Sequence, residues 1–430
     1  VSTFQIVSCI QISPMFQKKI VLVILLLTGI YSVNMAQQKK DYTAEWKKAE
    51  GLEKKGLTKS AQAEVSKIFS LAVKDNNDVQ QIKAAMILIG YRRILDEDSD
   101  ENNIFYVDTL ARSTKAPARN ILQSIQAEML WQYLQNNRWK FYNRTKLSEE
   151  KSKDINTWSI DKLYNTISGL YTASLTNEDL LKTVKVDGFD PILLKGKNTR
   201  QLRPTLFDFL GHRALEFFMN DESGITKPAY QFRLEDPEIF TGSTGFIKAK
   251  FPTKDTASLQ HKALLLLQDI LAYHIADANP DALIDADLIR LAFVYNNATL
   301  DEKDKLYEQA LLRIEQAYPN NPATAQAGFL RGSIYLANGR RYDPFSKPAY
   351  QYEIKRAKEL FEAIYSKFPK SEGGINARNT IMQIEQPTLN VETEKVNVPM
   401  QPFRSLVKYK NVQKIYLRVL RSSRDEIKRE

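Results

Sequence analysis

Cysteine is almost missing from these 430 residues. The single one, Cys9, lies near the amino terminus, so the remainder has no thiol for a disulfide, a thiolate metal site or a cysteine nucleophile. Histidine is nearly as scarce. His212, His261 and His274 fall on segments of helical periodicity, and none has the His-Glu-x-x-His spacing that sets two imidazoles around a zinc ion. His212, in FLGHRALEFF, is expected to be a satisfied or surface histidine. Glycine-rich catalytic turns are also lacking. TGSTG (241–245) does not place its serine as a nucleophile turn requires. LLKGKNTR (193–200) has neither the upstream glycine nor the Ser/Thr of a phosphate loop. No catalytic, cofactor-binding or metal residue is assigned, no cofactor is expected, and the chain does not read as an enzyme.

Acid is scarce at both ends, with none before Asp41. Net charge is +10, yet the last thirty residues hold nine Lys or Arg against Asp425, Glu426 and Glu430. The excess therefore sits mostly on a short terminal stretch, where wet faces of strands account for it. The folded basic face with interleaved aromatics that nucleic acid requires is not apparent, so no nucleic-acid partner is expected.

Long apolar runs are limited to Ile20–Ile30, eleven residues preceded by Lys18 and Lys19 and followed by small and polar residues up to Ala36. That pattern predicts a secretory signal peptide over 15–36, with mature chain from Gln37. It is too short for a bilayer-spanning helix, which needs about 20 residues. Residues 1–14 precede Met15 and are read as upstream translation. The expected location is the periplasm or outer envelope, with no transmembrane helix after signal cleavage.

What is abundant is helical periodicity. Ala61, Val65, Ile68, Phe69, Ala72 and Val73 recur on one face, which predicts a core stripe. IKAAMILIGYRRIL, NILQSIQAEMLWQYL, LFDFLGHRALEFF, KALLLLQDILAYHIA and LYEQALLRIEQAY behave alike, with breaks at KDNND, DEDSDEN and NNPAT. The fold class expected is mainly α: antiparallel helical hairpins over 37–385. Its later part carries tetratricopeptide-like spacing. Ala357, Phe361, Ile364 and Pro369 match a second helix, and Gly332, Tyr335 and Gly339 a first helix. An earlier unit ends at Pro319 and a looser one at Pro280, and RRYDPFSKPAYQYE is an insertion between the two helices of the last hairpin. Asp221 to Ala257 has no helical period and is read as an excursion from the stack, an irregular patch packed on the helices.

After Glu385 the language changes. Residues 386–402 are rich in Pro, Val and Thr and are expected to form a linker. FRSLVKY and KIYLRVL, separated by KNVQ, then read as strands, because Ile415, Leu417 and Val419 alternate with polar residues. Two strands make no core. Residues 403–430 are therefore expected to begin a β-sandwich that this sequence only enters.

Signal peptide, helical hairpins and PFRSLVKYKNVQKIYLRVLR, in that order, resemble the amino-terminal region of the large exported alpha-2-macroglobulin-like proteins of Gram-negative bacteria. LQNNRWKFYNRT (134–145), DINTWSIDKLY (154–164) and RPTLFDFLGHRALEFF (203–218) are similar to the helical region of that family. The resemblance implies a protease-trapping endopeptidase inhibitor, with proteases engaged through downstream domains and an envelope protein as a partner for the helices. The family's Cys–Gln thioester and bait segment have no counterpart here, so no functional residue is carried over. Two other readings stand beside it. One is a helical scaffold in an outer-membrane nutrient-uptake assembly, with Trp131, Trp139, Tyr142 and Trp158 stacking on ligand. The other is a hydrolase carried by a downstream domain.

Overall fold

The computed structural model describes residues 41–95, 99–141, 154–196, 199–220, 230–394, 396, 398 and 400–418. The expected leader, Cys9, Tyr142, residues 221–229 of the excursion and Val419 onward lie outside them. The fold is mainly α, as the periodicity predicts, with a two-stranded antiparallel sheet following the last helix. Two compact units divide between Leu194 and Lys195, inside the region read from sequence as 37–385.

The first unit holds α1 (Thr43–Glu53), α2 (Thr58–Lys74), α3 (Asp78–Leu95), α4 (Ser99–Arg112), α5 (Ala118–Asn136), α6 (Ile160–Ser174) and the short α7 (Glu178–Thr183). From α1 to α6, each helix packs on the next. The stripe on α2 is buried at Ala61, Val65, Ile68, Phe69 and Ala72, while Val73 at its edge is half-buried. Polar side chains reinforce this apolar packing. Asn120 Nδ2 donates to the carbonyls of Ser174 (3.0 Å) and Thr176 (2.8 Å), tying the start of α5 to the end of α6. Tyr171 donates to Glu128 at 3.0 Å. Buried groups of this kind need such partners, because an unmade bond in the interior costs about 1–3 kcal/mol.

The second unit holds α8 (Leu206–Phe218), α9 (Ser243–Lys248), α10 (Leu259–His274), α11 (Asp281–Asn297), α12 (Lys303–Ala317), α13 (Thr324–Arg340), α14 (Glu353–Lys367) and α15 (Glu372–Glu385). α13 and α14 meet through the residues of the repeat signature. Tyr335, Ala357, Phe361 and Ile364 are buried in one cluster with Ala377 of α15. Glycine is required at close contacts here. A Cβ on Gly332 would lie 2.5 Å from the Phe361 ring, and one on Gly373 would lie 2.1 Å from the Ala325 backbone. The insertion between α13 and α14 is shaped by Asp343. Its Oδ1 accepts from the Phe345 and Ser346 amides (3.0 and 2.7 Å), and Asp343 bridges to Lys347.

Strand β1 (Thr388–Thr393) pairs antiparallel with β2 (Ser405–Lys410), from Thr388 opposite Lys410 to Thr393 opposite Ser405. This corrects the strand reading. β2 falls in FRSLVKY as expected, but its partner lies inside the expected linker, and residues 414–418 form no strand. Cross-strand chemistry explains the choice. Val391 faces Val407 and Leu389 faces Tyr409 on one side of the ribbon. Asn411, with φ at 55°, ends β2 in the left-handed region and donates from Nδ2 to the Ile384 carbonyl at 2.7 Å.

Candidate functional site

The described part of the excursion is an ordered structure docked on three helices, and it is held almost entirely by its own backbone carbonyls. Pro237–Phe240 forms a 3-10 turn. Thr241 and Gly242 then lead into α9, which is too short to hold itself in water. Gln268 of α10 donates to the carbonyls of Phe246 (2.7 Å) and Ala249 (2.9 Å). The His261 ring meets the Phe251 carbonyl at 2.8 Å, so that nitrogen carries the proton. Arg290 of α11 donates to the carbonyls of Ile239 and Thr241, and Arg313 of α12 to that of Phe240. Apolar burial of Ile239, Phe240 and Phe246 accompanies these bonds.

Arg290 is the centre of the seat. It is fully buried, its guanidinium lies 4.5 Å over the Phe246 ring, and its Nε donates to Asp287 Oδ1 at 2.7 Å. Asp287 is satisfied in turn by the Ser243 hydroxyl at 3.0 Å. Burial and the neighbouring Arg290 lower the Arg313 pKa from its ordinary value. Between this seat and α10 to α12 lies a cavity of about 390 Å³. Its lining combines aliphatic Ile275, Leu283 and Ile314 with polar Ser243, Thr244, Asp287, Arg290 and Arg313. A larger, open groove of about 660 Å³ runs along the excursion itself, between Tyr230, Phe232 and Arg233 and the facing Lys250, Phe251 and Lys254.

A second polar cluster sits where α8 meets α10. Thr205 and Asp208 form a capping box at the start of α8, with Asp208 Oδ2 accepting from the Thr205 amide (3.0 Å) and hydroxyl (2.7 Å). Its other oxygen lies 2.7 Å from His274 Nε2, and Asp277 lies 2.7 Å from His274 Nδ1. Burial opposes charge on His274, but the two carboxylates outweigh it and raise the pKa, so both ring nitrogens donate. His212 is the opposite case. Burial and the Arg203 guanidinium push it down to about 4, and its Nδ1 donates to the Asp208 carbonyl at 2.8 Å. Its Nε2 is buried without a bond, as are Arg203 Nε and Asp285 Oδ2. Burial raises the Asp285 pKa.

Thus the three histidines have structural work: His261 anchors the excursion, His274 bridges two carboxylates, and His212 sits neutral beside them. Among the described residues no group of three or more His, Cys, Asp or Glu is arranged to hold a metal ion. Of the tryptophans weighed as a stacking surface, Trp158 is buried against Phe105, Trp131 is half-buried and Trp139 is 74% exposed. The three therefore present no common open face. Sequence reasoning missed the Arg290–Asp287 pair and Arg313. The pair's signal was opposite charge at i and i+3 on α11, and Arg313 stands among other charged residues of α12 with no signal of its own. Among the described residues no helix is long and apolar enough to cross a membrane. No family model, curated protein or solved structure matches the chain.

Proposed function

We propose that the chain is the non-catalytic helical amino-terminal part of an exported alpha-2-macroglobulin-like protease-trapping protein. The observation that carries this reading is the β1–β2 ribbon. It is fastened to the end of α15 by Asn411 and by Lys410 Nζ on the Gln383 carbonyl, at 3.2 Å. Yet Leu389, Val391 and Tyr409, on one face of the ribbon, stay between 44% and 65% exposed. Two strands alone are marginal in water, and an apolar sheet face calls for a second layer. A β-sandwich opening at these strands supplies that layer, and the resemblance over PFRSLVKYKNVQKIYLRVLR leads to the same architecture.

Trapping encloses a protease without blocking its active site. The complete protein is therefore expected to protect casein-sized substrates from a bound protease while leaving tripeptide substrates open to cleavage. This chain by itself is expected to neither cleave nor inhibit. The test measures one protease on both substrate sizes, with and without the complete protein. Equal inhibition of both would replace trapping by active-site inhibition, and no effect on either would sink the reading.

A further inference from the structure

The cavity beneath the excursion has a chemistry of its own. Its volume of about 390 Å³ lies in the range of small-ligand sites, roughly 300–1,000 Å³. Its aliphatic lining includes Leu283 and Ile314, both buried, and Ile275, left 41% exposed at the end of α10. Its polar lining is hydroxyl, carboxylate and guanidinium, from Ser243, Thr244, Asp287, Arg290 and Arg313. Two arginines serve this seat against one carboxylate, and that carboxylate, Asp287, is already bonded to Arg290 and Ser243. Arg290 is spent on Asp287 and two carbonyls. Arg313 donates to the neutral Phe240 carbonyl and forms no ion pair among the described residues. The local balance is one positive charge in a lining that also carries aliphatic side chains.

We infer that this cavity is a binding site for an aliphatic carboxylate, with the carboxylate on Arg313 and the Thr244 hydroxyl and the hydrocarbon against Ile275, Leu283 and Ile314. The pairing follows from charge-assisted bonding, which favours carboxylate over any neutral acceptor at a guanidinium. Burial of the ligand's aliphatic part adds affinity in proportion to area removed from water. Two sources carry this chemistry: a peptide ending in a branched aliphatic residue, and a short free acid. The site does not depend on the protease-trap reading, since none of its residues belongs to the β-ribbon.

Isothermal titration of the full chain distinguishes the cases with three probes: N-acetyl-alanyl-leucine as free acid, the same dipeptide as its amide, and 4-methylpentanoate. The dipeptide acid is expected to bind at least about tenfold more tightly than the amide, the scale of one charge-assisted bond. Tighter binding of the dipeptide acid than of 4-methylpentanoate identifies a peptide terminus, and the reverse order identifies a free acid. Arg313→Lys, which keeps charge but loses the fork, is expected to weaken the acid while leaving the amide unchanged. Arg313 also anchors the excursion, so Ile275→Glu provides a second variant at an exposed position. It is expected to abolish acid binding with the unfolding midpoint unchanged. Equal affinity for acid and amide, no heat from either acid at millimolar concentration, or full acid binding by Ile275→Glu would each overturn the site.

Discussion

The two units bury helices by different means, and glycine shows the difference most clearly. In the first unit a Cβ added at Gly51, Gly90 or Gly169 would meet nothing within 4 Å. In the second, Gly332, Gly339 and Gly373 each face an atom at 2.5 Å or less. The first unit brings helices together across ordinary side chains and fastens them with amides and phenols, such as Asn120, Gln126 and Tyr171. The second lets backbones approach and fixes its irregular segment with buried charge. The same repeating geometry can therefore be tolerant of substitution in one place and strict in another.

The largest expected break in that contrast is at Arg290. Arg290→Met keeps the volume but leaves Asp287 buried without its cation, and removing one member of such a pair costs about 3–5 kcal/mol. Denaturant unfolding of the second unit should register that loss. A change below about 1 kcal/mol would show that water, not Arg290, satisfies the seat.

Glycine provides the next test. Gly332→Val drives a branched side chain into Phe361 and is expected to cost about 1–3 kcal/mol. Gly169→Ala, in the middle of α6 with open space around it, is expected to stabilise by about 0.5–1 kcal/mol. Effects of the same sign at both positions would erase the distinction between the units.

The smallest effect is on pH dependence. All three histidines lie in the second unit. His212 titrates at about 4 when folded and at 6.5 when free. The unfolded chain takes up its proton first as pH falls, so stability drops through the window from 6.5 to about 4. His212→Leu is expected to flatten that part of the profile. His274 has the other sign, since its raised pKa gives stability that is complete below 6.5 and lost as pH rises through the folded value. His274→Gln should remove that alkaline loss. Identical profiles for the two variants and the parent would assign the dependence to other groups.

Much of the helical frame was legible because a 3.6-residue period reports burial directly. Ala61, Val65, Ile68, Phe69 and Ala72 were each placed correctly. So were the repeat positions Ala357, Phe361 and Ile364, whose spacing encodes the contact with Gly332. The excursion was not legible in the same way. Its partners, Gln268, Arg290 and Arg313, lie well along the chain and bond to carbonyls, which every residue has and no residue type announces. β1 had a signal that went unused, the alternation of Leu389 and Val391. Ile415 and Leu417 had a similar signal, but no strand among the described residues answers it. Alternation states a preference for a pleated surface, and pairing depends on a partner in reach.

The carbonyl anchoring of the excursion also bears on how the protein can vary. Exposed side chains between Ile239 and Phe251, such as Lys248 and Lys250, contribute nothing to the bonds made by His261, Gln268, Arg290 and Arg313. They can be exchanged without loosening the attachment. The helices must keep four residues constant, while the loop they carry is free to change its outward chemistry. Such a division lets the surface drift from one lineage to another over an unaltered mounting.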